Sequence, residues 1–458
     1  MTSKRTNSIR NLLRRLRDDR RGTMAAVMAV AAVPIIGIAG VGVDTARGYM
    51  LKQRMSQALD AAALAGARVM YHESRDADIA KFYFANIQPG YLGATLQQPS
   101  IQASVDQETL TLTAAATLPS TFTRVLGVEA IPVTAATEVK RASQNVEVSL
   151  VLDLTSSMDG QREEDLRAAA KELVDIVVKD QQTPSYSKVA LVPYSAAVNA
   201  GVYANAVRGT PTAGCNTFGC TQYRFRRYSD NSNVTFNIST CVTEREGANA
   251  LTDASPAVSP VGKNYTDPGG YNPCQSSPIR PLTSNKADLH AWIDAMNANG
   301  STGGQIGVAW GWYLVSPTFT AGMGAGLPAS STAGSYGDDK LLKAVVIMTD
   351  GEYNSIYHNG VIAKNSISGS GANQYKINEN SNHGSSYAQS EALCTAMKAQ
   401  GITVYTVGLD VIDTPAATSL VQNCATSPAH VYLPNDGVEL QDAFRAIGKS
   451  ISTLRLSK

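Results

Sequence analysis

The chain has 458 residues, a formal net charge of +1 and 17% charged residues. This length exceeds one ordinary compact core, so we expect two or three domains. Because Lys and Arg nearly balance Asp and Glu, the composition argues against a nucleic-acid partner. Positive charge is concentrated locally, since residues 1–21 contain eight Lys or Arg and two Asp.

An uncharged apolar stretch covers residues 22–43. Its length is enough to cross about 30 Å of hydrocarbon as a helix. A cleaved secretory signal is the competing interpretation, but its apolar core is usually shorter, about 7–15 residues, so we predict a retained transmembrane helix. The basic segment 1–21 is then cytoplasmic and the rest of the chain lies outside the cytoplasm. Gly37, Gly40 and Gly42 would permit close packing against this helix.

The next region, 44–142, changes from helical to strand-like patterns. Apolar residues recur at helical spacing over 44–70, which predicts one long helix continuing from the membrane segment. Apolar and polar residues then alternate at 101–105, 109–115 and 131–139, which predicts a small antiparallel sheet. A membrane helix that continues into a helix packed on such a sheet resembles a pilin.

Residues 143–458 alternate between strand and helix patterns. The predicted strands are 146–152, 188–193, 343–348, 402–407 and 430–433, and the predicted helices are 162–178, 286–298, 387–400, 418–423 and 438–454. This alternation predicts an α/β fold with a doubly wound, mostly parallel sheet. Two polar insertions, 199–283 and 353–386, either shape a partner-binding rim or are tolerated surface excursions.

All six cysteines lie in the second half of the chain, at Cys215, Cys220, Cys241, Cys274, Cys394 and Cys424. An even number without Cys-x-x-Cys or Cys/His metal spacing predicts disulfides and an oxidising compartment rather than a zinc site. Buried free thiols are the alternative.

Oxygen-bearing side chains follow the predicted strand 146–152 at alternate positions, namely Asp153, Thr155 and Ser157. In an open α/β sheet, ligands bind at the carboxyl ends of the strands, and hard divalent cations take oxygen ligands. The same triplet is also typical of turns and of helix N-caps. Its position directly after a buried strand favours a metal site.

Several segments are similar to one known family. RRGTMAAVMAV, LDAAALAGA and LPSTFTRVLGVEAIPVTAATEVKR resemble the N-terminal region of TadE/TadG proteins from tight-adherence (Flp) pilus systems. VALVPYSAAVN, GVAWGWYLVSP, MTDGEYN and LQDAFRAIGKSISTLRL resemble TadG-like proteins. Val27 stands where pilins carry Glu, so the resemblance implies a permanent anchor rather than a processed fibre subunit.

Asp153, Thr155 and Ser157 resemble the Asp-x-Ser-x-Ser signature of a von Willebrand factor A domain, with Thr at the first hydroxyl position. GSTGGQIGV is similar to that family's Gly-x-Thr loop and nominates Thr302, while VVIMTDGE is similar to its Thr-Asp-Gly strand end and nominates Asp350. The resemblance implies a metal-ion-dependent adhesion site that holds Mg²⁺, Mn²⁺ or Ca²⁺. One position of the cation stays open for an acidic side chain of a protein partner.

The same resemblance implies a disulfide between Cys394 and Cys424, which lie on consecutive crossovers. The other four cysteines then have three possible connectivities.

We therefore expect a non-enzymatic pilus assembly or adhesion component, anchored in the bacterial inner membrane with most of the chain in the periplasm. A structural minor pilin with a vestigial metal site is one alternative. A metal-dependent hydrolase is another, but it needs a His or Glu base near the metal loops. Of the five histidines, His358 is the one near such a loop, eight residues after Asp350.

Overall fold

The computed structural model describes residues 21–69, 74–104, 109–140, 144–266, 273–367, 369 and 375–454. The chain divides into two compact units, Met1–Arg141 and Ala142–Lys458. The predicted basic segment lies outside the described residues, apart from Arg21.

The first unit combines two helices with a small sheet in its described part. Its elements are α1 (Arg21–Arg68), α2 (Arg75–Asn86), β1 (Thr95–Leu96), β2 (Ser100–Ala103), β3 (Thr109–Pro119) and β4 (Ala130–Lys140). Helix α1 is continuous from the apolar stretch onward, as the sequence pattern predicts. Helix α2 was not predicted.

The sheet of the first unit is antiparallel throughout, which agrees with the predicted alternation. Strand β3 pairs with β4 along its whole length, from Thr109 opposite Lys140 to Pro119 opposite Ala130. Strands β1 and β2 both pair with its other edge. The alternate apolar residues of β3 share a buried cluster with one face of α1; they are Leu110, Leu112, Ala114, Ala116 and Leu118 against Leu51, Met55 and Leu59.

By its length and composition, the N-terminal part of α1 could cross a membrane. Only 11% of its most apolar 18-residue window is buried. A core helix of a water-soluble protein would bury most of such a window, so this part of α1 has an apolar surface left uncovered by the described protein.

The second unit is an α/β structure. Its first elements are β5 (Asn145–Asp153), α3 (Gln161–Val177), β6 (Ser187–Tyr194), β7 (Val198–Asn199), α4 (Ala204–Arg208), β8 (Gln222–Arg226), β9 (Asn233–Thr243), β10 (Gly262–Thr266) and β11 (Arg280–Thr283). The remaining elements are α5 (Lys286–Asp294), α6 (Gly304–Tyr313), α7 (Pro317–Gly322), β12 (Leu341–Thr349), β13 (Tyr357–His358), β14 (Val361–Ile362), α8 (Ser386–Ala399), β15 (Thr403–Gly408), α9 (Pro415–Cys424), β16 (Val431–Tyr432) and α10 (Gly437–Leu454).

Its main sheet is mixed, and the prediction of a mostly parallel sheet is wrong in this respect. Five strands run parallel in the order β6-β5-β12-β15-β16. Strands β7, β9, β10 and β8 extend the sheet beyond β6 with antiparallel pairing, and β11 pairs antiparallel with β6. The insertion 199–283 supplies most of this extension. Its polar, Gly-rich composition hid these strands from the sequence prediction, although β8 and β9 pair as neighbours along the chain.

Helices cover both faces of the parallel strands. One buried cluster joins β5 to α3, α5 and α10, and it includes Val148, Leu150 and Leu152. The opposite cluster joins the sheet to α6, α8 and α9, and it includes Val151. Burial on both faces explains why these strands read as continuous apolar runs.

The second unit contains three disulfides. They join Cys215 to Cys220, Cys241 to Cys274 and Cys394 to Cys424. The last is the pair that the family resemblance implied, and the first two select one of the three open connectivities. No cysteine of the chain is left as a free thiol.

The two insertions pack on each other rather than standing apart. The backbone N–H of Tyr265 donates to the carbonyl of Gly360 (2.8 Å), and that of Tyr228 donates to the carbonyl of Lys376 (2.8 Å). A small apolar cluster links both segments through Phe225, Phe236, Tyr265, Val361 and Ile377. The insertions therefore share a minor core in addition to their disulfides.

Candidate metal centre

Strands β5 and β12 are neighbours and run parallel, so their carboxyl ends lie at the same edge of the sheet. Asp153 is the last residue of β5, and Asp350 directly follows β12. Adjacent strand ends in an α/β sheet form the crevice in which ligands bind. This topology brings two carboxylates that are far apart in sequence to one place.

Asp153 is fully buried and held from three sides. Its Oδ2 accepts hydrogen bonds from the hydroxyls of Tyr194 (2.8 Å) and Thr349 (2.9 Å), and its Oδ1 accepts from the backbone N–H of Thr155 (3.1 Å). Burial raises the pKa of Asp153, although these donors oppose the shift. The carboxylate is fixed in position with little freedom to turn.

A row of oxygens connects the first loop to Asp350. The hydroxyl of Thr155 lies 2.9 Å from that of Ser157, which donates to Oδ1 of Asp350 at 2.9 Å. Thr155 and Asp350 are buried, whereas Ser157 is exposed. The row therefore begins inside the protein and opens to its surface at Ser157.

The charge of Asp350 is poorly compensated. Burial raises the pKa of Asp350 to about 7, and the nearby negative charge of Asp153 acts in the same direction. Two carboxylates close together in a desolvated place favour either a shared proton or a bound cation.

Thr302 lies on the loop before α6, next to this row. The carbonyl of Gly300 accepts from the backbone N–H of Ser156 (3.0 Å), which ties this loop to the first one. The carbonyl of Thr302 accepts from the backbone N–H groups of Asn354 and Ser355 (3.0 Å each), which ties it to the loop after β12. Within the described residues, no hydrogen bond joins the Thr302 hydroxyl to the other four nominated side chains. Hydrogen bonds thus connect Asp153, Thr155, Ser157 and Asp350. Backbone bonds tie the loop of Thr302, rather than its side chain, to the two loops that carry them.

Glycine at position 304 permits the close approach of the loop after β12. A Cβ added there would overlap the ring of Tyr353. The ring of Tyr353 is buried and meets that of Tyr194 edge to face, with 6.5 Å between centroids. The aromatic contact is thereby joined to the site, because the Tyr194 hydroxyl donates to Asp153.

Sequence reasoning missed three residues that contact the nominated set. Tyr194 lies directly opposite Asp153 in the pairing of β5 and β6, and Thr349 belongs to the Thr-Asp-Gly strand end. Arg162, on α3, places its guanidinium 3.4 Å from Oδ2 of Asp350 and 2.7 Å from Oδ2 of Asp410. A signal for Tyr194 and Thr349 was present, because both are polar residues at the ends of predicted strands.

The donor set suits a hard divalent cation. In the described part of the chain, no group of three or more His, Cys, Asp or Glu side chains is arranged to hold a metal ion. The nominated ligands are instead two carboxylates and three hydroxyls, the oxygen donors that Mg²⁺, Mn²⁺ and Ca²⁺ accept. Burial is the main cause of the raised pKa values of Asp153 and Asp350, and a bound cation would offset that cost. These residues therefore fit a cation, on the chemistry of the donors and on their electrostatics.

His358, the candidate base of the hydrolase alternative, is engaged elsewhere. Its Nδ1 lies 3.0 Å from the carbonyl of Asn380, and its Nε2 lies 3.2 Å from the side-chain amide of Asn359. No hydrogen bond links it to the nominated residues within the described part of the chain.

Both insertions reach the loops of the site. The side-chain amide of Gln275 donates to the carbonyl of Leu154 (3.4 Å), and Asn354 and Ser355 belong to the second insertion. Farther out, Glu244 accepts a hydrogen bond from the backbone N–H of Tyr357 (2.7 Å). The insertions are thus in contact with the site.

The apolar end of the chain matches a family model. Residues 22–69 match the model described as Putative Flp pilus-assembly TadE/G-like. This segment is similar to TadE/G pilus-assembly proteins. The match covers α1 and does not extend to the second unit. No curated protein is similar enough to this chain to count as a match.

Solved structures give weaker similarities. The pilus adhesin SpaC from Lactobacillus rhamnosus GG is 12% identical over 78% of this chain and 34% of its own, with a TM-score of 0.35. The von Willebrand factor domain of the type V pili tip protein Mfa5 from Porphyromonas gingivalis is 14% identical over 69% and 97%, with a TM-score of 0.38. The pilus adhesin RrgA from Streptococcus pneumoniae is 12% identical over 80% and 49%, with a TM-score of 0.34.

The chain spans about a third of the length of SpaC (34%). All three TM-scores lie below 0.5, so no functional conclusion rests on these similarities.

Proposed function

We propose that this chain is a membrane-anchored component of a pilus assembly or adhesion system that binds a protein partner through a divalent cation. The anchor is α1, crossing the bacterial inner membrane with the basic segment 1–21 in the cytoplasm and the second unit in the periplasm. The TadE/G-like match of residues 22–69 supports the pilus assignment. The three disulfides support an oxidising compartment.

The observation that carries the binding proposal is the row from Asp153 through Thr155 and Ser157 to Asp350 at two adjacent strand ends. Asp153, Thr155, Ser157, Thr302 and Asp350 would hold the cation, with Mg²⁺ the first choice and Mn²⁺ or Ca²⁺ the alternatives. Two carboxylates balance the charge of a divalent ion without enclosing it. When bound, the cation supplies an electrophilic position for an oxygen ligand of the partner.

Exposure of Ser157 gives the partner access to the site. An acidic side chain is the ligand that such a position would select, since a carboxylate completes the oxygen coordination of a hard cation. The insertions 199–283 and 353–386 contact the site loops and would form the rim that recognises the rest of the partner.

A structural component with a vestigial site is the second candidate, and one contact favours it. The guanidinium of Arg162 already lies 3.4 Å from Asp350 and supplies part of the positive charge that a cation would bring. If this ion pair is the permanent arrangement, the chain contributes to the assembly through its surfaces alone.

Thermal unfolding of the full chain in detergent separates the two candidates. A ligand that binds the native state raises the midpoint as its concentration rises. We expect Mg²⁺, Mn²⁺ or Ca²⁺ to raise the midpoint for the wild type and to have no effect on Asp153→Ala or Asp350→Ala. Asp413→Ala, which removes an exposed carboxylate of the same unit, is the matched control and should respond like the wild type. A wild type indifferent to millimolar cation favours the vestigial site.

A further inference from the structure

An apolar turn connects β3 and β4 in the first unit. Residues 120–128 read STFTRVLGV and contain a single charged side chain. Four of their apolar side chains are exposed: Phe122, Val125, Leu126 and Val128. Val125 at the tip is 81% exposed. Such a concentration of exposed apolar groups in one short turn marks a contact surface.

This turn packs against α1 at the level of the uncharged stretch. A Cβ added at Gly40 would overlap the Cβ of Phe122, so the absence of a side chain at position 40 permits the contact. A Cβ added at Gly37 would lie 3.7 Å from the side chain of Leu126. The turn therefore follows α1 from Gly40 toward Gly37, in the direction of the N-terminal part of the helix.

The helix geometry gives the depth of this contact. An α-helix rises about 1.5 Å per residue, so Gly37 lies roughly 9 Å from Val43, the last residue of the uncharged stretch, along the axis. If that stretch spans the hydrocarbon, the tip of the turn lies at the level where interfacial apolar groups insert, about 5–10 Å into the headgroup and acyl boundary.

Most backbone N–H groups of the turn are already hydrogen-bonded, as an apolar environment requires. Asp44 accepts hydrogen bonds from the backbone N–H groups of Thr121, Phe122 and Thr123, at 2.9–3.2 Å, and from the hydroxyl of Thr123 at 2.9 Å. Internal bonds satisfy the N–H groups of further residues of the turn: Ser120, Val125, Gly127 and Val128. Unsatisfied backbone groups are costly in a low-dielectric surrounding, and this turn presents few of them.

We propose that residues 120–128 insert into the boundary of a phospholipid bilayer beside α1, as a second membrane contact of the first unit. The occupant is lipid because the turn packs on α1 at Gly37 and Gly40, beside the exposed apolar side chains of Val33, Ile36 and Ile38. The exposed Arg124 is placed to meet lipid phosphates, since long basic side chains reach back toward the headgroups. The inference rests on the proposed crossing of the membrane by α1.

Depth-dependent quenching tests it. The native cysteines are all paired, so one engineered cysteine carries the label. Full-length chains with Val125→Cys, Ile38→Cys or Leu64→Cys would be labelled with an environment-sensitive fluorophore and reconstituted in phosphatidylcholine vesicles. The quencher is a nitroxide near the carboxyl end of a lipid acyl chain. All three positions are exposed, at 81%, 75% and 61%.

Leu64 is the matched negative control, because it lies on the same helix about 30 Å beyond Val43 by the helical rise. We expect strong quenching at Ile38 and Val125 and none at Leu64. If the label at Ile38 is quenched but the label at Val125 is quenched no more than that at Leu64, this inference is overturned and the membrane anchor stands. The absence of quenching at Ile38 overturns the anchor and, with it, this inference.

Discussion

Two buried aspartate environments in this chain look alike in burial and differ in their partners. The carboxylate of Asp44 accepts from backbone N–H groups of a single turn and from one hydroxyl, and Arg47 lies 3.3 Å away. Asp153 has one backbone donor, and its other partners are hydroxyls, with a second carboxylate, Asp350, at the end of the same row.

The difference separates a structural carboxylate from a candidate ligand. Backbone donors that all point at one carboxylate satisfy it permanently and fix a turn. Hydroxyls can turn their oxygens toward a cation, and two neighbouring carboxylates leave a negative charge that nothing in the fold fully offsets. Burial alone does not distinguish these roles, whereas the identity of the donors does.

The largest effect is expected at Asp44. Asp44→Ala leaves several donors of the turn, of which those of Thr123 are buried, without an acceptor, which we expect to cost about 3 kcal/mol locally. Hydrogen exchange of the peptide 119–129 should then accelerate roughly a hundredfold, at about 1.4 kcal/mol per factor of ten. Asp60→Ala is the control, because Asp60 on the same helix is exposed and accepts from the Thr137 hydroxyl rather than from backbone groups of the turn. Unchanged exchange would show that Asp44 does not hold the turn.

A third buried carboxylate, Glu244, extends the comparison, because its raised pKa predicts how the stability of the second unit depends on pH. Its Oε1 accepts from the backbone N–H of Tyr357, and burial raises the pKa of Glu244 to about 7 although its hydrogen bonds oppose the shift. Between its ordinary pKa, about 4.5, and about 7, the folded state binds more protons than the unfolded state. The contribution of protonated Glu244 to the free energy of unfolding is therefore fully present below about pH 4.5. It is lost as the pH rises through about 7, and the loss is up to about 3 kcal/mol.

Denaturant unfolding of the full chain across this pH range, followed by tryptophan fluorescence, measures that slope. The three tryptophans, Trp292, Trp310 and Trp312, all lie in the second unit and report on it. Glu244→Gln should reduce this slope and leave the part that Asp350 and Asp153 contribute, because their pKa values are raised too. Glu246→Gln, at an exposed position, should keep the wild-type slope. A slope that is as steep in Glu244→Gln as in the wild type would contradict the contribution of Glu244.

A substitution at Tyr194 tests whether its hydroxyl positions Asp153 or binds the cation itself. Tyr194→Phe removes one of the hydroxyl donors to Asp153 and leaves the Thr349 hydroxyl in place, so we expect a loss of about 1–2 kcal/mol of stability without cation. The rise of the thermal midpoint with Mg²⁺ or Mn²⁺ should be retained. Loss of that rise would place the Tyr194 hydroxyl among the ligands.

The smallest effect is expected at Arg162. Its guanidinium is partly exposed and competes with a cation for Asp350. Arg162→Gln should lower the cation concentration at half-saturation by up to about fivefold, which corresponds to the upper range of exposed ion pairs, about 1 kcal/mol. Lys171→Gln, at another ion pair of α3, is the control. Weaker cation binding in Arg162→Gln would mean that Arg162 assists the site.

Local sequence patterns predicted much of the fold. The parallel strands β5, β6, β12 and β15 lie where apolar runs predicted them, and α1 is continuous as its periodicity indicated. The antiparallel extension was not predicted, because the polar, Gly-rich composition of 199–283 hides the strand pattern, although β8 and β9 pair as neighbours along the chain. The packing of Phe122 on Gly40 was missed because it joins distant parts of the chain, although glycines suited to close packing were visible in the stretch.

The sequence nominated side chains at the strand ends, and their role as metal ligands stays a prediction. Alternate oxygens after a strand identified Asp153, Thr155 and Ser157, and the family resemblance added Thr302 and Asp350. Tyr194 and Arg162 were not foreseen, since their contacts arise from strand order and from the placement of α3. Sequence patterns thus name groups that share a loop, and the fold decides which groups from other loops reach them.

Direct binding of Mn²⁺ to the full chain, followed by the loss of its free-ion electron paramagnetic resonance signal, tests the metal centre most directly. We predict one saturable Mn²⁺ site per chain that Mg²⁺ displaces, that is absent in Asp153→Ala and in Asp350→Ala, and that persists in Asp44→Ala. A wild type that binds no Mn²⁺, or aspartate variants of the row that bind it as the wild type does, would contradict the assignment of these strand ends as a cation site.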